Sequence, residues 1–423
     1  MTREMKNSGI PWIGEIPENW EVKRLKQESI FINGFAFDSE DFKIGEGVRV
    51  IRIGDIGLKA DFENCVRAIT NSSILKPYRI EDGDILIAMS GATTGKCCIV
   101  DKSEEAYINQ RVGIIRSDIR KIIYYSLQTP YFMEFVNLNN AGSAQPNISS
   151  KAIGEFPILS IPTTEQQRIA EFLDRKCAEV DEMIALQEQI IEELKAYKQS
   201  VITEAVTKGL NPATPMRDSG IEWIGQIPEH WEVRRIGSLF RLRDEKNYKP
   251  MGEVQLLSLY TGIGVFPHGE QEERGNKAVT TEGYKIVRKN DVVVNIILAW
   301  MGAIGVSNYD GVTSPAYDVY IPNHNAAPHY YHYVFRTKGI AAECYKYGRG
   351  IMMMRWRTYS SEFKQIHIPY PNIAEQQAIA DYLDEKCADI DSLIQTKQSK
   401  IDSLKESKKS IIYEYVTGKR EVE

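Results

Sequence analysis

The chain has 423 residues, 43% hydrophobic and 26% charged, with 52 Lys+Arg against 58 Asp+Glu and a formal net charge of −6. That length allows two to four domains, no segment approaches the roughly 20 apolar residues that cross a bilayer, and the acidic balance argues against tight autonomous binding of nucleic acid through bulk charge. Six cysteines without a CxxC pair, histidines confined to the second half, and a charged N-terminal stretch with no secretory apolar core together predict reduced thiols, no metal and a cytoplasmic protein.

The first element in chain order is "SGIPWIGEIPENWEVKRL" from Ser8, which returns as "SGIEWIGQIPEHWEVRRI" from Ser219. After it, "VRVIRIGDI", "DILIAMS", "KCCIVD" and "RVGIIRS" read as strands, and "IIYYSLQTPYFMEFVNL" reads as helical with an interruption at Pro130. Between Thr163 and Lys208 there is no Pro or Gly, and Gly209 follows, so this stretch predicts one unbroken helix. Thr163 and Thr164, each with a Gln three residues on, predict a capping box at its start. Along it Leu173, Cys177, Val180, Ile184, Gln187, Ile191, Leu194, Lys198, Val201 and Ala205 alternate in steps of four and three, the spacing of a coiled-coil seam.

In the second half, "EVQLLSLY", "DVVVNIILAW", "AIGVSN" and "YDVYIP" take the strand roles and "YYHYVFRTKGIAAECYKY" the helical one. A second helix is predicted from Asn372 to Thr417, with Asn372 and Glu375 as its capping box. Its seam is Leu383, Cys387, Ile390, Ile394, Lys397, Ile401, Leu404, Lys408, Ile411 and Tyr415, each 210 residues after its counterpart. The expected partner of each helix is the other. About 44 helical residues make a rod of roughly 66 Å, close to two turns of duplex DNA at about 34 Å each.

The predicted fold is therefore α+β. Two β-rich globular domains, at 1–160 and 219–370, are joined by a pair of long antiparallel coiled-coil helices, at 161–209 and 371–419, with a linker at 210–218 and an internal pseudo-two-fold axis. Between the modules the frame is kept and the loops are rewritten. Asp84 and Asp291 open corresponding strands and Gly95 matches Gly302, yet "SGATTGK" faces "ILAWMGA", and "AGSAQPNISSKAI" answers "RGIMMMRWRTYSSEF", each closing on a Ser pair. A duplicated catalyst would keep its reactive residues in both copies, so the divergence predicts two readers of different targets. Trp12, Trp20, Trp223 and Trp231 persist in both copies and are expected to anchor each module to the helix pair.

The doubled Trp segment, the two EQQ-x-IA helices, "SGATTGK" and "GSAQPNISSKAI" leading into "IPTTEQQRIA" resemble the specificity subunit of type I restriction-modification systems. The resemblance implies a subunit without catalytic residues or cofactor of its own. It implies two target-recognition domains, each reading half of a split site in double-stranded DNA. It also implies a helix pair that fixes the gap and docks two methyltransferase subunits, which use S-adenosylmethionine, beside restriction/translocase subunits that use ATP and Mg. The alternative is a coiled-coil scaffold whose end modules bind proteins. "SGATTGKC" is not a phosphate loop, because Ser90 stands where the first Gly should be and Cys97 replaces the magnesium-binding hydroxyl.

Candidate DNA contacts are the hydrogen-bonding and basic residues of the loops. They are Ser90, Thr93, Thr94, Lys96, Gln110, Arg111, Ser143, Gln145, Asn147 and Lys151 in the first module, and Arg349, Arg355, Arg357, Tyr359, Ser360 and Lys364 in the second. Lys346 joins the latter as a local basic patch opposed by Glu343 and Glu362. Trp300, Met301 and Met352 to Met354 are candidates for thymine-methyl contacts or groove wedges, with core packing as the other reading.

Overall fold

A computed structural model of the chain describes residues 3–70, 72–101, 104–140, 146–269, 280–350 and 356–422. It divides into two compact units, Met1–Glu188 with Ser399–Glu423, and Gln189–Gln398. Each unit therefore contains one end of each long helix. Among the described residues no helix is long and apolar enough to cross a membrane.

The first unit is built on a four-stranded antiparallel sheet, in the order Ile30–Asn33, Val112–Arg116, Ile85–Ala88 and Cys97–Ile99. Its central strand is apolar at every position because both faces are covered, and side chains alternate between them. Ile85 and Ile87 pack on the helices through Ile123, Leu127, Phe132 and Phe156, while Leu86 and Ala88 pack on Ile51, Ile108 and Ile114. A second four-stranded sheet, in the order Ala106–Ile108, Val48–Ile51, Val66–Ala68 and Phe42–Lys43, lies beyond that other face. Pro130 does interrupt the helical stretch: Arg120–Leu127 ends, Thr129 is extended, and Pro130–Asn139 begins with Pro at its first turn.

The second unit repeats the central sheet in the order Phe240–Leu242, Tyr317–Pro322, Val292–Asn295 and Ile304–Val306. The stretch expected as a strand to Trp300 stops at Asn295, whose side-chain oxygen accepts from the amides of Ile297 and Leu298 and turns the chain into a 3-10 turn at Ala299–Met301. The helical stretch is also broken, into Pro328–Val334 and Lys338–Tyr347, with the Thr337 hydroxyl capping the second piece.

In both modules a buried aspartate closes the turn into the central strand. Asp84 Oδ2 accepts the Glu81 amide and Asp291 Oδ2 the Arg288 amide, each at 2.7 Å. The third residue of each turn has positive φ, +85° at Gly83 and +76° at Asn290, the two residue types that tolerate it most readily.

The long helices are Thr163–Lys208 and Ile373–Val416. In the first unit Asp181 pairs with Lys408 at 2.7 Å and the rings of Phe172 and Tyr415 lie 4.3 Å apart, so the two segments run antiparallel. In the second unit Lys198 pairs with Asp391 at 2.7 Å, and Ile202 and Ala205 share a core with Leu383 and Cys387, again antiparallel. Of the expected seam, Leu173, Val180, Ile191, Leu383, Ile390 and Ile401 are buried, and Ile184, Leu194, Ile394 and Leu404 are half-buried among exposed neighbours. Of the three seam lysines, 198 and 408 cross to an aspartate.

Asn372 caps the second helix, accepting from the Glu375 amide at 3.0 Å, while its own amide group donates to the Glu375 carboxylate at 2.7 Å. The capping box expected at Thr163 and Thr164 is absent. Both lie inside the helix, and the Gln166 amide group donates instead to Ile161 O at 2.6 Å.

Trp20 and Trp231 are fully buried and tie each module to both helices. Trp20 Nε1 donates to Glu165, at the start of the first helix, at 2.9 Å, and the ring lies under Gly418, which ends the second. Trp231 Nε1 donates to Glu375, at the start of the second helix, at 3.3 Å, under Gly209, which ends the first. Both glycines have positive φ, +70° and +76°, so a side chain there would strain the backbone as well as press on the indole or the proline beside it. Burial alone would raise the Glu165 carboxyl, but hydrogen bonds from Arg3, Trp20 and Asn19 hold it below the ordinary range. A second tie repeats too: Tyr125 donates to Asp174 at 2.7 Å and Tyr333 to Asp384 at 2.6 Å. Burial first, and the carboxylate second, push both phenols well above their ordinary pKa.

Candidate nucleic-acid interface

In the first module three loop segments meet at one edge of the central sheet. Met89 N donates to Arg111 O, Ile148 N to Met89 O and Gly91 N to Pro146 O, each at 2.9 Å, and Ser90 bridges Asn147. This lattice brings Thr93, Lys96, Gln110, Arg111 and Asn147 together, with Lys151 following in the short helix Ser150–Gly154. Lys96, Gln110, Arg111, Asn147 and Lys151 are exposed, and Thr93 is half-buried. Ser90 and Thr94 are only 5% and 6% exposed, and the Thr94 hydroxyl is spent on Gly91 O and Pro146 O. Burial therefore takes these two out of the accessible set and gives them the work of shaping the loop. Ser143 and Gln145 lie outside the described residues. Cys97 is buried, which pushes its thiol up to about 12.

The second module keeps one of these links with other residues and adds a different pairing. Thr358 N donates to Ile296 O at 2.9 Å, and Arg349 and Arg357 exchange backbone hydrogen bonds, both at 2.9 Å. Arg349, Arg357 and Tyr359 are exposed, Ser360 and Lys364 half-buried. The two acids of the patch are each committed to one base, Glu343 to Lys346 at 3.5 Å and Glu362 to Arg349. Arg357 and Lys364 have no acidic partner among the described residues. Arg355 and Met352 to Met354 lie outside them. Trp300 donates to Ile297 O at 3.0 Å and packs on the core, whereas Met301 is 52% exposed.

The Ser pairs do not correspond. The short helices Ser150–Gly154 and Ser360–Phe363, and the strands Pro157–Ser160 and His367–Tyr370, all begin 210 residues apart. The capping residue Ser149 thus corresponds to Tyr359, which makes no side-chain cap.

Sequence reasoning marked Asp84 and Asp291 but missed their partners. Arg116 grips Asp84 through two nitrogens at 2.7 and 2.8 Å, and Arg243 grips Asp291 at 2.8 and 2.9 Å. These pairs hold the strands on which the loops sit. No common offset relates the two arginines, so the repeat gives no signal for them.

A family profile described as "Type I restriction modification DNA specificity domain" matches residues 17–196 and again 228–406. The provisionally named type I restriction enzyme MjaX specificity subunit of Methanocaldococcus jannaschii is 28% identical over 426 residues, covering 96% of this chain and 95% of the relative. The type I restriction enzyme EcoBI specificity subunit of Escherichia coli is 25% identical, covering 93% and 84%. A chain solved in work on assembly and conformational transition of the type I R-M system is similar in fold, with a TM-score of 0.67 at 14% identity over 95% of this chain and 98% of that one. The chain belongs to the type I restriction-modification DNA specificity family and carries its domain twice.

Proposed function

We propose that this chain is the sequence-reading subunit of a type I restriction-modification complex and catalyses no reaction itself. Its target-recognition domains, 1–160 and 219–370, each read one half of an interrupted site in double-stranded DNA. The helices at 161–209 and 371–419 set the gap between the halves and dock two methyltransferase subunits. S-adenosylmethionine, ATP and Mg belong to the partner subunits, the last two to the restriction/translocase subunits. The work takes place in the cytoplasm.

One observation carries this reading: two identical anchors, Trp20 with Glu165 and Gly418, and Trp231 with Glu375 and Gly209, hold modules whose outer loops differ. An anchor kept alongside a changed surface is the arrangement expected of two readers with unlike targets on one frame. The acidic net charge is compatible with it if the partner subunits supply most phosphate contacts. Mapping methylated adenines in cells with and without the gene tests it. One interrupted motif that disappears on deletion is expected; an unchanged methylation pattern would contradict it.

A further inference from the structure

We infer that Tyr248 determines specificity in the second module, its ring packing against a thymine methyl of the half-site read there while Lys246 and Lys249 take phosphates beside it; this rests on the reading just given. The segment 244–250, "DEKNYKP", follows the outer strand Phe240–Leu242. It belongs to none of the stretches that recur between the halves or that carry the family resemblance, so its chemistry is free to suit one target.

Pairing puts this segment at the edge where the outer loops meet. Lys246 bridges Lys285, the Lys285 ammonium reaches Asp318 at 2.7 Å, and Asp318 lies opposite Val294, one residue before the central strand ends at Asn295. At that same end Ile296 O takes the Thr358 amide.

The turn around Tyr248 is fixed by Asn247, which is only 4% exposed. Asn247 N donates to Tyr284 O at 2.7 Å, and Gly283 N donates to Asn247 O at 2.8 Å. The Asn247 side-chain amide donates to Lys249 O at 2.9 Å and to Thr281 O at 3.0 Å, and its oxygen accepts from Lys249 N at 3.1 Å. The buried Thr281 hydroxyl adds a bond to Lys249 O at 3.3 Å. These bonds hold both neighbours of Tyr248 but not Tyr248 itself, which is 77% exposed and has no partner among the described residues. In the first module the aromatic residues after the corresponding outer strand, Ile30–Asn33, turn inward: Phe37 is buried and the Phe35 ring lies 4.9 Å from it.

An exposed tyrosine is ordinary by itself. This one is held by a buried frame, at the loop edge, between two exposed lysines with no acidic partner among the described residues. Cations on both sides of a ring suit a DNA groove, because they take backbone oxygens, which carry no sequence, and leave the ring to meet the bases. Among major-groove base edges the thymine methyl is the group an apolar surface recognises. The phenol hydroxyl discriminates less, since it both donates and accepts.

The test uses the whole complex in cells lacking other adenine methylation, with Y248A, Y248F and the double variant K246Q/K249Q compared by methylome sequencing. Y248A is expected to relax one A·T pair of one half-site, discrimination there falling between about 5-fold and about 150-fold, with the other half unchanged. Y248F keeps the ring and is expected to keep the motif. K246Q/K249Q is expected to methylate the same motif more weakly, with the slope of log affinity against log salt reduced by about 2 for the purified complex. An unaltered motif in Y248A overturns the assignment, and so does relaxation at a G·C pair alone. A Y248F motif as relaxed as that of Y248A moves the reading to the hydroxyl and overturns the ring contact. If Y248A methylates nothing, binding of the purified complex to duplexes changed one pair at a time decides: preference lost at one A·T pair supports the assignment, and preference kept at every pair overturns it. Failure of the parent reading looks different, since the unsubstituted chain would then direct no interrupted motif.

Discussion

The two modules solve the same electrostatic problem with different residues. In the first, Asp84 is neutralised by Arg116, which ends the neighbouring strand and whose side chain is 33% exposed. In the second, Asp291 is neutralised by Arg243, which follows the outer strand Phe240–Leu242 and is only 6% exposed. What has been kept is the demand of a buried carboxylate for a guanidinium, and the turn that the carboxylate closes; the strand that supplies the cation has changed. The Trp anchors show the opposite behaviour, because there indole, glutamate and glycine all recur. A contact that joins a module to the helices has to fit two bodies at once, whereas one inside a module can be met by any residue that reaches.

That contrast can be broken first at the anchors. Replacing either buried indole with alanine removes a large packed ring and its hydrogen bond, at a cost of about 3–5 kcal/mol. W20A is expected to lower protection from hydrogen exchange mainly in residues 1–188 and 399–423, and W231A mainly in 189–398. Equal loss in both units from either variant would show that the anchors do not belong to separate units.

The buried pairs sharpen the comparison at smaller amplitude. D291A removes the two-point partner of Arg243 in a nearly water-free place, leaving it only the more exposed Glu245, and should cost about 3 kcal/mol in urea unfolding, whereas D84A leaves Arg116 able to reach water and should cost about half as much. The reverse order would mean that exposure of the arginine does not set the penalty.

Much of the frame could be read before the structure. The helices were legible because 46 and 44 residues pass without Pro or Gly while apolar positions recur in steps of four and three. The Trp anchor was legible as a role for Trp20 and Trp231 but not as a geometry, since only the fold brings Glu165 and Gly418 to one indole; of the other two expected anchors, the Trp12 ring stacks on Tyr131 and Phe156 and Trp223 donates to His367 O, inside their own modules. Asn295 ended a strand that Val292 to Trp300 suggested, because a side-chain oxygen capturing two amides outweighs β propensity. The break before Thr337 carries no proline and was hidden for the same reason. Burial of Ser90 and Thr94 was hidden more deeply, because short polar residues on a Gly-rich loop look alike in sequence whether they face water or hold the loop together.

The central claim is that each module's outer segment reads its own half-site from a shared frame. A chain in which residues 236–363 are replaced by a second copy of residues 25–153 keeps both anchors and both helices while making the two readers alike. With partner subunits present, the methylated motif should become an inverted repeat of a single half-site. An unchanged, asymmetric motif from that chain would contradict the account.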